Sequence, residues 1–93
     1  MTRILIKELI WVERGNVRHL QKHNVKKDEV EEAGRNLIYH RQVKRKLFLA
    51  VGRSSERLLT IILVWKQTGK YYVASARDAS KKERRDAYEK ENK

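Results

Sequence analysis

Hydrophobic positions alternate with polar ones over much of the second half of the chain, which is the pattern of strands in a sheet. Runs rich in aliphatic, β-branched and aromatic residues lie at 3–11, 38–44, 46–53, 58–65 and 70–77, and each predicts a β-strand. The run LLTIILVW at 58–65 is apolar on both faces, so we expect a central strand with a helix over at least one side. The links SSER and QTGK are of hairpin length, so the strands that they join should be antiparallel.

Three other segments have the features of helices. Residues 12–24 place several apolar side chains on one arc of a helical wheel. A second, short helix should begin with Asp28 as its N-cap and end at Gly34. The sequence SKKE, which starts at Ser80, matches a capping box and predicts a last helix over 80–91.

This order of elements predicts an α+β fold. We expect two N-terminal helices and one C-terminal helix packed on a mainly antiparallel sheet of about five strands. The 93 residues are enough for one domain with a small core, so we expect a single domain over residues 1–93.

Positive charge is concentrated in the middle of the chain. Residues 35–77 hold 10 Lys or Arg and 1 Asp or Glu, a net charge of +9, whereas residues 1–34 and 78–93 carry +1 each. A basic segment of this size is typical of a surface that binds nucleic acid, an acidic protein or an anionic membrane surface. A solvated surface kept for solubility is the simpler alternative.

Composition narrows the class of protein further. The chain has no cysteine, so it has no disulfide and no thiolate metal site. The apolar run at 58–65 is well short of the roughly 20 residues that a membrane span needs. Charges interrupt the apolar N-terminus, so we expect no signal peptide. We therefore expect no membrane span and no membrane partner, and the absence of cysteine is compatible with a cytoplasm.

The segment RHLQKHNV, residues 18–25, places His19 and His23 one helical turn apart. That spacing suits two metal ligands, but Leu20 stands where a zincin helix carries its catalytic Glu, and the only other histidine is His40. The positive surroundings also disfavour a cation, so we expect no metal and no cofactor. The same spacing suits an acid and a base around a phosphate, and a hydrogen-bonded structural pair is the simpler interpretation.

Metal-independent RNA cleavage requires few protein groups. The 2′-hydroxyl is the nucleophile, so the protein must remove its proton, protonate the leaving 5′-oxygen and stabilise charge on the phosphate. Imidazole titrates near neutral pH and suits the proton transfers, whereas arginine suits the phosphate. Candidates for these tasks and for base stacking are His19, His23, Arg53, Arg57, Arg77, Arg84, Tyr39, Tyr71, Tyr72 and Tyr88.

Several of these candidates have a structural alternative. Arg77 can pair with Glu83 or with the acidic helix at 28–32. Tyr71 and Tyr72 point to opposite faces of a strand, so one of them belongs in the core. A basic run around the second strand suits backbone or partner binding: Arg35, Arg41, Lys44, Arg45 and Lys46. One helix face, at i, i+3 and i+7 spacing, can simply be solvated: Lys81, Arg84 and Tyr88.

Two blocks of the sequence carry a family resemblance. The first is W-x-x-x-x-N-x-x-H-x-x-K-H-N-V over 11–25, followed by D-E-V-E-E, and the second is S-A-R-D-A-S-K-K-E-R-R-x-x-Y over 75–88. A-V-G-R and E-R-L-L lie between them in the order expected. Over about residues 10–90 the chain resembles the BrnT family, the toxin half of type II toxin–antitoxin pairs.

The resemblance implies a small ribonuclease with a RelE-like fold in a bacterial or archaeal cytoplasm. It implies RNA as the substrate and an inhibitory antitoxin encoded beside the toxin. The sequence does not fix the oligomeric state, so a homo-oligomer and a hetero-oligomer with the antitoxin are both open. Residues of the active surface would include Lys22, His23, Arg53, Arg77 and Arg84. Two positions depart from the family pattern, since Asn24 stands where Gly is usual and His19 where many members carry Asn. A RelE-like fold also serves toxins that target gyrase, so the fold alone does not fix the activity.

The sequence leaves two hypotheses. The first is a metal-independent endoribonuclease that inhibits translation. Its catalytic residues would be Lys22, His23, Arg53, Arg77 and His19, and its substrate-binding residues Arg57, Arg84, Tyr88 and Lys81. The second is a non-catalytic basic module that binds an acidic partner protein or nucleic acid.

Overall fold

A computed structural model describes residues 4–92 of the chain. Its elements are β1 (Glu8–Ile10), a π-helical turn (Glu13–Val17), α1 (Arg18–Gln21), α2 (Lys27–Arg35), β2 (Leu37–Lys44), β3 (Leu47–Ser54), β4 (Arg57–Gln67), β5 (Lys70–Asp78) and α3 (Lys81–Glu91). The fold is therefore α+β, with three helices and a five-stranded sheet. The first helix follows strand β1, so the two helices of the N-terminal half do not open the chain.

The sheet has the strand order β1-β5-β4-β3-β2. Strands β2 to β5 are antiparallel to their neighbours, whereas β1 pairs with β5 in parallel. Strand β4 lies in the centre, which confirms the prediction from its apolar sequence. The antiparallel hairpins β3–β4 and β4–β5 are also confirmed. Their links, at 55–56 and 68–69, are too short for a parallel crossover.

Both faces of the sheet bear helices. The first face packs against α1 and α2, and its buried residues include Leu20, Val25, Val30, Ala33, Ala50, Leu59, Ile61, Leu63 and Val73. The second face packs against α3, and its buried residues are Leu49, Val51, Leu58, Ala79 and Ala87. Because side chains alternate along a strand, neighbouring residues of β3 and β4 enter different clusters.

Helix α3 covers only one end of the second face. Along β4, Leu58 and Thr60 are buried beneath the helix, Ile62 and Val64 are half-buried, and Lys66 is exposed. In the same part of the sheet the first face is closed, because Leu63 and Val73 have no exposed surface. The sheet therefore has one open half, on its second face.

The N-terminal elements differ from their prediction. The strand expected at 3–11 shortens to β1, and the described residues before it form no regular element, although the N–H of Ile4 donates to Nε2 of His40 at 3.3 Å. Residue 3 lies outside the described residues. Strand β1 pairs in parallel with Lys70, Tyr71 and Tyr72, the first three residues of β5.

The helix expected at 12–24 is interrupted. Gly15 has non-helical backbone angles, so a π-helical turn precedes the single turn of α1. Buried Asn16 stabilises this arrangement, since its Oδ1 accepts from the N–H of Val12 at 2.7 Å and its Nδ2 donates to the carbonyl of Ile10 at 2.8 Å. These bonds give partners to the N–H of Val12 and to the carbonyl of Ile10, neither of which would be paired within a continuous helix over 12–24.

The ends of α2 also differ from their prediction, whereas the start of α3 is confirmed. Helix α2 follows Lys26, whose N–H donates to the Glu29 carboxylate at 2.9 Å, so Asp28 lies inside the helix and is not its N-cap. Gly34 is likewise inside, one residue before the end. At α3, Ser80 and Glu83 form the predicted capping box, with bonds of 3.2 and 2.7 Å.

No helix within residues 4–92 is long and apolar enough to cross a membrane.

Asn24 ends the turn after α1 in the left-handed region, at φ 57°. A side chain with a Cβ costs about 1–2 kcal/mol there unless it is Asn or Asp, and glycine costs nothing sterically. We expect Asn24→Ala to lower the free energy of unfolding by about 1 kcal/mol and Asn24→Gly to leave it nearly unchanged. Urea denaturation measures both, with Gln21→Ala, an exposed change in the adjacent α1, as the control. Equal stability of the Ala and Gly variants would contradict the prediction.

Candidate functional site

Two histidine side chains project from the first face on a fixed turn. His19 and His23 are exposed, and their ring centroids lie 4.9 Å apart at an interplanar angle of 66°. Buried Leu20 and Val25 anchor the segment on either side, and the N–H of Val25 donates to the carbonyl of Leu20 at 3.0 Å. Within residues 4–92 no side-chain hydrogen bond or ion pair engages either imidazole.

Arg57 binds this turn from the first face of the sheet. It lies on the first face because it alternates with Leu59 and Ile61, and its guanidinium donates to the carbonyl of Asn24 at 3.0 Å. Two carboxylates complete its partners, Glu29 at 2.9 Å and Asp78 at 2.6 Å. Arg57 lowers the pKa of Asp78, and the N–H of Lys26, with Arg57, lowers the pKa of Glu29. The predicted substrate-binding Arg57 therefore joins the turn, α2 and the end of β5.

Arg53 and Arg77 lie on the second face, beneath α3. Arg53 binds Glu91 through two bonds of 2.6 and 2.9 Å, and the ring centroid of Tyr88 lies 5.8 Å from its guanidinium. Arg77 binds Glu83 through two bonds of 2.7 and 3.1 Å. Fork geometry of this kind is how arginine also binds a phosphate, so an RNA phosphate would have to displace a carboxylate of α3.

The structure separates the predicted catalytic residues into two groups. Lys22 is exposed beside His23, and both belong to the segment that packs on the first face. Among the described residues no hydrogen bond or ion pair joins either of them to Arg53 or Arg77. Sequence reasoning placed these four residues at one surface, but the alternation of β3 and β5 puts the arginines on the other face.

The three predicted substrate-binding residues of α3 lie together as expected. Lys81, Arg84 and Tyr88 line a shallow depression of about 470 Å³ on the outer surface of the helix. Tyr88 is 49% exposed, so its ring is available to stack on a base.

Lys66 is a cation that the sequence reasoning did not single out. It is exposed on the open half of the second face, with its Nζ 5.8 Å from the ring centroid of Tyr72. Alternation along β4 could have placed Lys66 with Ile62 and Val64. What the sequence could not show is that α3 leaves this half uncovered.

Glu83 is the most strongly bound carboxylate of the second face. Its side chain is 15% exposed, and it accepts from Arg77, from the N–H of Ser80 and from Oγ1 of Thr60 at 2.8 Å. Arg77 first, with these other donors, lowers the pKa of Glu83 from 4.5 to about 2. Because the pKa is lower in the folded state, the carboxylate stabilises the fold above about pH 4.5, and this contribution is lost as the pH falls through about 2.

We expect Glu83→Gln to lower the free energy of unfolding at pH 7 by on the order of 2 kcal/mol, because Arg77 is 49% exposed and solvent screens the pair. The difference from the wild type should fall below half of its neutral-pH value by about pH 3. Urea denaturation across this range measures it. Glu89→Gln, on the exposed side of the same helix, is the control and should retain the wild-type pH dependence. A difference that stays constant to about pH 3 would contradict the assignment.

No cluster of three or more His, Cys, Asp or Glu side chains placed to hold a metal ion occurs in the part of the chain that the structure describes. Comparisons with protein-family models, with curated proteins and with solved structures each found no significant match.

Proposed function

We propose that this chain is a metal-independent endoribonuclease that serves as the toxin of a toxin–antitoxin pair. The observation that carries the proposal is the pair of exposed, contacting imidazoles on a turn that Leu20, Val25 and Arg57 hold in place. Acid–base catalysis needs such groups on a rigid support with open ring nitrogens.

The reaction uses the histidines for two proton transfers. One imidazole takes the proton of the 2′-hydroxyl while that oxygen attacks phosphorus, and the other, as imidazolium, gives a proton to the departing 5′-oxygen. The products are a 2′,3′-cyclic phosphate and a 5′-hydroxyl. Lys22, exposed beside His23, supplies positive charge near the phosphate.

Arg53 and Arg77 have a different role in this proposal from that expected of the sequence. They lie on the second face, so they bind phosphates of the strand away from the histidines, after RNA has displaced Glu91 and Glu83. Lys81, Arg84 and Tyr88 extend this backbone contact along α3.

The proposal includes the partners and location that the resemblance implies. In this proposal the fold is of RelE-like type and the chain acts in the bacterial or archaeal cytoplasm. An adjacent gene encodes an antitoxin that forms oligomers with this chain. The net charge of +11 favours an acidic inhibitor.

The test is RNA cleavage by the purified chain, free of antitoxin, in the presence of EDTA. We expect cleavage products with cyclic phosphate and 5′-hydroxyl ends, either from RNA alone or from RNA on ribosomes. Intact RNA under both conditions, with protein shown to be folded, would overturn the proposal.

A second candidate function is a non-catalytic module that binds an acidic protein. The observation that favours it is that Arg53, Arg57 and Arg77 each bind a carboxylate, so these surfaces accept acidic side chains. Growth arrest that survives both His23→Ala and Arg77→Ala would favour this function, whereas growth arrest that His23→Ala abolishes would favour the ribonuclease.

A further inference from the structure

The open half of the second sheet face has a defined composition. Two rows of paired residues cross it, Arg41–Leu49–Ile62–Ser75 and Leu47–Val64–Tyr72, and Lys66 lies beyond them. Its middle is apolar and half-buried, through Ile62 and Val64, and cations stand at its margins. This is a flat platform with an aromatic ring on one side.

The strands that form this platform are strongly basic. From residue 36 to residue 77 the only acidic residue is Glu56, which lies in the β3–β4 turn at the end that α3 covers. Arg41 and Lys66 are exposed, and strands β2, β3 and β4, from which they and most of the platform come, carry no acidic residue. A second copy of the chain, at +11, would meet repulsion here, whereas a polyanion would be attracted.

The apolar middle of the platform favours a single-stranded nucleic acid over a duplex. A duplex presents phosphates and hides the faces of its bases, so it would gain little from Ile62, Val64 or the Tyr72 ring. A single strand presents both, since its bases can stack on an aromatic ring while its phosphates contact Arg41 and Lys66. Lys66, whose Nζ lies 5.8 Å from the centroid of the Tyr72 ring, would contact a phosphate next to a base stacked on that ring.

We propose that the open half of the second face binds single-stranded RNA, with Tyr72 as the base-stacking residue and Arg41 and Lys66 as the phosphate-binding residues. The identity of the strand as RNA rests on the proposed function, but the binding itself requires no cleavage. The substrate would thus be held on a surface separate from the histidine turn.

The experiment is fluorescence anisotropy with a labelled 2′-O-methyl RNA of about 12 nucleotides, which cannot be cleaved because its 2′-oxygen is blocked. We expect this single strand to bind at least 10-fold more tightly than a duplex of the same sequence. Tyr72→Ala should weaken single-strand binding about 10-fold, and Tyr72→Phe should stay within about 2-fold of the wild type.

The chain offers a matched control for the lysine. Lys27 also lies over an aromatic ring, with its Nζ 5.8 Å from the centroid of Trp11, but it belongs to α2 on the first face. Lys66→Ala should reduce the slope of log affinity against log salt by about 1, and Lys27→Ala should leave the slope unchanged. Lys66 is exposed, so this variant keeps the test valid if Tyr72→Ala fails to fold.

Three results would overturn the proposal: equal affinity for single strand and duplex, unchanged binding by folded Tyr72→Ala, or equal effects of Lys66→Ala and Lys27→Ala. Analytical ultracentrifugation gives a fourth test. A wild-type chain that dimerises, with a Tyr72→Ala variant that is monomeric but still binds RNA, would also overturn the proposal. Failure of the proposed function is separate, because a chain that binds the blocked strand through Tyr72 and cleaves no RNA retains this site.

Discussion

His23→Ala should lower the rate of RNA cleavage about 10²-fold or more, because it removes one of the two groups that transfer protons. The change is local, since the His23 side chain is exposed and the turn is held by Leu20, Val25 and the bond from Arg57 to Asn24. The measurement is the single-turnover cleavage rate in EDTA, with protein in excess. Wild-type cleavage should have a bell-shaped pH profile, and the variant should lose one limb of it.

Two controls separate proton transfer from a change of structure. Imidazole added to the buffer should restore part of the cleavage by His23→Ala, and Gln21→Ala, an exposed change in the adjacent helix α1, should cleave like the wild type. Binding of the 2′-O-methyl strand should differ by less than about 3-fold between His23→Ala and the wild type, because the proposed binding face is elsewhere. Cleavage by His23→Ala within about 3-fold of the wild-type rate would remove His23 from the mechanism.

The antiparallel part of the sheet could be predicted because its determinants are local. Each of strands β2 to β5 has its own run of apolar residues, and hairpin links fix the pairing of neighbours. The capping box of Ser80 and Glu83 is equally local. The parallel pairing of β1 with β5 joins residues about 62 positions apart in sequence through three residue pairs, and no local pattern reports such a pairing.

The interrupted first helix shows the limit of periodicity. The apolar spacing over 12–24 remains helical in the sequence, but Gly15 and the two bonds of Asn16 redirect the backbone. A single glycine costs a helix about 1 kcal/mol, which is too little to predict a break without the tertiary contacts. The N-cap predicted for α2 is wrong for a similar reason. The Glu29 carboxylate accepts from the N–H of Lys26 and also binds Arg57, so the helix begins before Asp28.

The sequence did not predict how the candidate residues are arranged. The net charge of +9 over 35–77 indicated a basic surface, but the carboxylates that bind Arg53, Arg57 and Arg77 come from outside that segment of the sequence. Pairing of Arg77 with Glu83, one of the structural alternatives, is confirmed. The net charge of a sequence segment therefore overstates the positive potential of a surface where acidic residues from helices elsewhere in the sequence bind its arginines.

Gly52→Ala should destabilise the fold strongly, because the added methyl group has no space. Gly52 is buried on the first face of β3, and a Cβ at this position would lie 2.1 Å from the carbonyl oxygen of Ala33 and 2.9 Å from its carbonyl carbon. Both are backbone atoms of α2, so no side-chain rotation relieves the overlap and the helix must move off the sheet. Overpacking costs about 1–3 kcal/mol when side chains can adjust, so we expect a loss above about 3 kcal/mol. That corresponds to a fall in Tm of roughly 12 °C or more for a domain of this size.

Gly34→Ala is the matched control for this prediction, because it adds the same methyl group to α2 itself. The nearest atom to that Cβ is Cδ1 of Leu9 at 3.5 Å, an ordinary contact, and alanine favours a helix interior over glycine by about 1 kcal/mol. Gly34→Ala should therefore keep or raise the Tm while Gly52→Ala lowers it, and a Gly52→Ala variant within about 3 °C of the wild type would show that α2 does not rest on β3 as described. Because Glu29 of α2 holds Arg57, and Arg57 holds the carbonyl of Asn24, displacement of α2 should also loosen the histidine turn. Folded Gly52→Ala should then cleave RNA more slowly than Gly34→Ala at a temperature where both remain native.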